Sequence, residues 1–197
     1  MRSATPEAVL VGGSAGSLST VLEIVGAIPA EVPFALVVCL HVPLDDGGGL
    51  AALLRDRSRV PVVEVHDQQA LVPAHIFVAP ANYHLLVERS RTLSLSVDPR
   101  VQYSRPSIDV LFESAARALG PAAAAVLLSG ANEDGAAGLA LLRAHGALTA
   151  AQEPASASSP QMPRAAVALG AAQRVLEPAD LKALVLGLAR TDARQAR

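Results

Sequence analysis

A chain of 197 residues with a formal net charge of −2 is the size of one α/β domain, and a single domain over 1–197 with its core at about 8–190 is expected. Its 51% hydrophobic and 17% charged residues exclude extensive disorder, while the absence of a basic excess and only 3% aromatic residues exclude a nucleic-acid partner. The lone Cys39 excludes an internal disulfide and Cys-paired structural zinc; with no apolar run long enough for a bilayer and no secretory signal, a cytoplasmic protein without direct membrane insertion is expected.

Short apolar runs alternate with alanine-rich amphipathic stretches, which predicts a three-layer α/β/α fold with a mainly parallel central sheet and a small antiparallel hairpin. The first strand is expected at 8–11, followed by a Gly-rich turn at 12–16 and a helix over about 17–27 that stops before Pro29. The unbroken apolar run 34–40, flanked by Pro33 and Pro43, reads as a strand buried on both faces, with His41 at its C-terminal end. A helix over 50–57, strands over 62–65 and 76–78, and a hairpin over 85–97 around Arg89, Ser90 and Arg91 come next. Ser107 is placed to cap a helix over about 108–119, with Asp109 set against that helix's positive end. A strand at 123–128 leads through a polar loop at 129–134 into a helix over 135–145, which Gly146 terminates. Beyond 149–151, the Ser/Pro-rich stretch 153–163 reads as a surface loop, before a helix near 164–169, a strand at 175–176 and a final helix.

Ser14, His41 and Asp134 are thus each expected immediately after a parallel strand, at the edge where open α/β sheets place their ligand crevices. Gly12-Gly13-Ser14-Ala15-Gly16 also satisfies G-x-S-x-G, in which small neighbours let a serine project from a tight turn and a following helix offers amides to an oxyanion. Alone, the motif is better read as a phosphate-binding or merely structural turn, and the rest of the chain reverses that reading. The chain order Ser, His, Asp differs from the Ser, Asp, His order of α/β-hydrolases, which disfavours a conventional lipase.

Across nearly the whole chain the motifs resemble the CheB chemotaxis methylesterase family. They comprise the serine turn from Val11 to Gly16, His41-Val42-Pro43, Val78-Ala79-Pro80 with His84 following, Arg105-Pro106-Ser107-Ile108-Asp109, the acidic loop around Asn132-Glu133-Asp134-Gly135, and a closing region from Ala151 to Arg164. The resemblance implies Ser14, His41 and Asp134 as a Ser-His-Asp triad. It also implies a substrate, the glutamate γ-methyl ester on cytoplasmic helices of a methyl-accepting chemoreceptor, hydrolysed to glutamate and methanol, with glutamine deamidation as an activity of some relatives. Two departures bear on the transfer. Ala131 stands where relatives commonly carry Met and Ala15 where they carry Thr, so side-chain packing around the site must differ. The best-known relatives also carry an N-terminal receiver domain; this chain opens almost directly on the first strand, so phosphorylation control is not expected.

In the expected mechanism His41 takes the Ser14 proton as the hydroxyl oxygen attacks the ester, Asp134 orients His41, and amides near Ala15 or Ala131 hold the oxyanion, with neither metal nor organic cofactor required. Glu133 competes with Asp134 for the acidic role, and Asp134 could instead cap the following helix. Arg105 either faces an acidic receptor surface or forms a structural contact, and His84 could line the cleft. The remaining alternative for the chain is a noncatalytic module binding an anion or a partner at its Gly-rich turn.

Overall fold

The computed structural model describes residues 5–43 and 46–189, so the outermost ends of the expected 1–197 domain lie outside the described residues. Strand β1 (Ala8–Gly13) runs into helix α1 (Leu18–Ala27), and β2 (Ala35–Leu40) is followed by α2 (Gly49–Arg55). Then come β3 (Val62–Glu64), β4 (Gln69–Ala70), β5 (Ile76–Val78), and the hairpin strands β6 (His84–Val87) and β7 (Thr92–Ser96). The second half contains α3 (Ile108–Ala118), β8 (Ala123–Leu127), α4 (Ala136–Ala144), β9 (Leu148–Gln152), α5 (Gln161–Ala168), β10 (Arg174–Leu176) and α6 (Pro178–Ala189).

Among the described residues seven strands form one sheet in the order β10-β9-β8-β1-β2-β5-β3, with every pairing parallel. The strands of β1 and β2 are buried along their whole length, which is why the sequence there is continuously apolar rather than alternating. Alternate side chains enter two cores. Leu10, Val37, Cys39, Phe77 and Leu127 pack with α3, α4 and α5, whereas Val9, Val11, Leu36, Val38 and Val126 pack with α1, α2 and α6. The three-layer expectation therefore matches the observed architecture.

The antiparallel appendage is a sheet of three strands, β4-β7-β6, laid on α3 through the buried Leu85, Val87 and Leu93. The hairpin was legible in the sequence, but its third strand was not: β4 has two residues, paired as Gln69 with Leu93 and Ala70 with Thr92. A second difference concerns the Ser/Pro-rich stretch, whose last three residues already belong to α5. Pro163 is the third residue of that helix, where the amide has no intrahelical acceptor and its loss costs nothing. None of the described helices is long and apolar enough to cross a membrane.

The chain leaves β1 in one direction across the sheet through β2 and later returns to build β8, β9 and β10 on the other side. The sheet therefore changes winding direction beside β1, and a crevice opens at the carboxyl ends of the strands flanking that point. Gly12 lets α3 lie against β1 there, since a Cβ at this position would stand 2.4 Å from Ile108 Cγ2.

Candidate active site

Ser14 is the first residue after β1 and His41 the first after β2, and the two ends are tied by the His41 amide donating to Gly13 O at 3.2 Å. The serine turn is held by the Ser14 amide on Ser129 O at 2.9 Å, and by Ser17 donating to Ser14 O from its amide (3.1 Å) and hydroxyl (2.7 Å). Gly16 closes the turn at φ +80, and a Cβ there would meet Ser158 Cβ at 2.6 Å, so both the backbone conformation and the space demand glycine. Ser14 is half-buried, and the neighbouring Ala15 and Gly16 are exposed.

Asp134 lies further from its strand than its two companions, at the end of the loop between β8 and α4 and fully buried. Its carboxylate receives four donors: His41 Nε2 at 2.7 Å and the Ile108 amide at 2.8 Å on Oδ2, and the Ser107 hydroxyl at 2.8 Å and the Asp109 amide at 3.0 Å on Oδ1. Two of those donors are the first amides of α3, groups that have no partner within their own helix and favour an anion. Asp134 thus caps α3 in trans rather than α4, whose N-cap Gly135 has no side-chain bond. Burial pushes the Asp134 carboxyl up, but the hydrogen bonds from His41, Asp109, Ile108 and Ser107 together outweigh it and hold the group below its ordinary value. In a neutral His41 an ionised Asp134 places the proton on Nε2, which leaves the lone pair on Nδ1.

That lone pair faces Ser104, whose Oγ lies 3.3 Å from Nδ1. Among the described residues no hydrogen bond joins the Ser14 hydroxyl to His41; the two residues instead line one cleft of about 280 Å³, with Leu18, Leu40, Leu50 and Leu53. A second cleft of about 200 Å³ also borders His41, lined by Arg100, Tyr103, Ser104 and Arg105. A larger cleft, about 520 Å³, sits between the hairpin and α3 around Glu88, Arg89, Ser114 and Arg117, but it is lined by no histidine and its Ser114 hydroxyl is taken up by Leu111 O at 2.8 Å and the Val87 amide at 3.0 Å, so size alone does not locate the chemistry.

The other candidates have definite places. Glu133 is exposed and accepts from Gln161 Nε2 at 3.3 Å, away from His41. Ala131 is exposed in the same loop, and among the described residues its amide and that of Ala15 have no hydrogen-bond partner. Arg105 uses its guanidinium on Asn82 Oδ1 (2.7 and 3.2 Å), Val97 O (2.6 Å) and Asp98 O (3.1 Å), which pins the end of the hairpin to the loop before it. His84 is buried behind the site: its Nδ1 accepts the Ser107 amide at 3.2 Å and its Nε2 faces Pro99 O at 3.1 Å. Asp109 does not serve the N-terminus of its own helix. Its Oδ1 accepts the Gly138 amide of α4 at 2.7 Å, and burial, opposed by that bond and reinforced by the nearby charge of Asp134, raises its pKa to about 6.

A doubly wound α/β sheet with a serine turn and a carboxylate-held imidazole at its carboxyl edge is the arrangement of a hydrolase. Within that class the chain belongs to the CheB methylesterase family, whose profile matches residues 9–185. A Leptospira interrogans relative is 33% identical over 189 residues, covering 96% of this chain and 98% of that protein. Protein-glutamate methylesterase/protein-glutamine glutaminase 4 of Anaeromyxobacter dehalogenans is 40% identical over 186 residues; 89% of this chain matches 52% of that protein, so the chain spans about half its length. The crystal structure of the Thermotoga maritima CheB methylesterase catalytic domain superposes with a TM-score of 0.88 at 24% identity, covering 94% of this chain and 100% of that one, a match of fold.

Proposed function

We propose that this chain is a cytoplasmic serine esterase that hydrolyses glutamate γ-methyl esters on the helices of methyl-accepting chemotaxis receptors, releasing methanol. The observation that carries the reading is the buried Asp134 carboxylate bonded to His41 Nε2 at 2.7 Å in a cleft that His41 shares with Ser14. The relatives named protein-glutamate methylesterase/protein-glutamine glutaminase support both the ester substrate and a glutamine side activity.

In this reading Ser14 Oγ attacks the ester carbonyl while its proton passes to His41 Nδ1, and Asp134 stabilises the imidazolium that forms. The amides of Ala15 and Ala131 are the candidate donors to the oxyanion, free of other partners among the described residues. Collapse of the tetrahedral species returns the proton to the departing methoxide. Water, deprotonated by His41, then cleaves the acyl-enzyme and restores Ser14. The same steps on glutamine would release ammonia.

The test is methanol release from methylated receptor fragments by the purified chain and by Ser14→Ala, which should fold normally and lose several orders of magnitude in rate. Equal rates in the two proteins would remove Ser14 from the mechanism. Hydrolysis of simple esters with no action on methylated receptors would leave the esterase standing and overturn its substrate; action on neither would favour the noncatalytic binding module.

A further inference from the structure

With Nε2 committed to Asp134, His41 has one lone pair to offer, and the hydroxyl that faces it is Ser104 rather than Ser14. Ser104 is held there by a built device. It closes a two-residue turn in which the Val101 amide donates to Ser104 O (3.2 Å) and the Ser104 amide to Val101 O (2.9 Å). The central residues Gln102 and Tyr103 both adopt left-handed backbone, at φ 49 and 61, a conformation that glycine and asparagine reach at lower cost and that persists when surrounding contacts impose it. One such contact is Asn132 Nδ2 donating to Gln102 O at 3.4 Å, and the same Asn132 accepts the Asp134 amide at 3.2 Å. The turn that carries Ser104 is therefore fastened to the loop that carries Asp134.

Resting on the assignment of Ser14 as nucleophile, we propose that Ser104 is a positioning residue that occupies His41 Nδ1 in the resting enzyme and must yield it before Ser14 can attack. The hydroxyl has somewhere else to go, because Gln102 O lies 3.4 Å from Ser104 Oγ. In the resting state Ser104 donates its proton to Nδ1. When it turns that proton to Gln102 O and its oxygen swings off the Nδ1 direction, Nδ1 is open to the Ser14 proton, which it afterwards returns to the leaving group. Ser104 itself neither gains nor loses a proton; it divides the enzyme between a held and a poised imidazole.

The experiment is the rate at which a fluorophosphonate labels the full chain, with the modified residue located by peptide mass spectrometry. Label on Ser14 is expected throughout. Ser104→Ala should be labelled about two- to tenfold faster, the weight of one neutral hydrogen bond, Ser104→Gly should reproduce the acceleration, and Ser104→Thr, which keeps the hydroxyl, should return to the wild-type rate. Label on Ser14 at an unchanged or slower rate in both hydroxyl-free variants overturns the role of Ser104 alone. Label on Ser104 in the wild type, or on neither serine, overturns the Ser14 assignment as well.

Discussion

Asp134 and Asp109 show how one stretch of backbone sets two carboxylates apart. Asp134 collects four donors, whereas Asp109 accepts mainly the Gly138 amide and sits near the charge of Asp134. Capping a helix and orienting His41 are not competing roles for Asp134, since its two oxygens do both. In Asp134→Asn one oxygen becomes an NH₂ that must face an amide or hydroxyl donor. Turnover should fall by about 10⁴-fold, and the denaturant midpoint should drop by the equivalent of about 1–3 kcal/mol; retention of wild-type turnover would refute the orienting role. Asp109 acts on stability in the opposite sense to Asp134. Its folded-state pKa of about 6 lies above the ordinary 3.8, so the folded chain holds a proton that the unfolded chain has already released. That contribution is fully present below the unfolded value and is lost as pH rises through about 6, on the order of 3 kcal/mol in all. The depressed Asp134 instead contributes above its unfolded value and loses its contribution at the acid end. Asp109→Asn, measured by denaturation between pH 4 and 7, should therefore flatten the decline; a curve parallel to wild type would count against it.

At the scale of elements, the site depends on how closely α3 and α4 approach. A Cβ at Gly138 would lie 2.6 Å from Phe112 Cβ and 3.0 Å from Asp109 O, neither of which is the end of a flexible chain. Gly138→Ala gains helix propensity of under about 1 kcal/mol, but overpacking costs about 1–3 kcal/mol, so a net loss of stability is expected, with lower turnover as α3 moves away from Asp134. Gly187 in α6 is the control, because a Cβ there meets nothing within 4 Å; Gly187→Ala should raise the thermal midpoint with activity intact. Which elements were readable follows from where their information lies. The strand after Pro33 and the serine turn are local: an unbroken apolar run and a glycine pattern state them without reference to the rest of the chain. The strand β4 is stated only by its partners on β7, and Ser104 faces a histidine 63 residues away from a turn with no glycine or asparagine to mark it. Asp134 could be found from motif and family likeness, but its capping of α3 belongs to tertiary structure.

The whole molecule presents Ser14 from the middle of its sheet, in a cleft with apolar walls that include the partly exposed Leu18 and Leu53. A methyl ester is too small to be selected by itself, and discrimination must come from contacts made by the rest of the substrate. On the proposed substrate, kcat/KM for a methylated receptor fragment should therefore exceed that for free glutamate γ-methyl ester, and Leu53→Ser should narrow the ratio. Parallel losses on both substrates would assign Leu53 to folding instead. The middle of the same sheet holds Cys39, the sole cysteine, fully buried on β2, with burial first and the charge of Asp134 second raising its thiol well above the usual range. Such a thiol is silent toward a disulfide reagent while the strands remain together. The chain thus carries a built-in clock for its own breathing: the rate at which a thiol reagent modifies Cys39 in the native protein reads how often β2 is laid open, one strand end away from His41, without any label having been introduced.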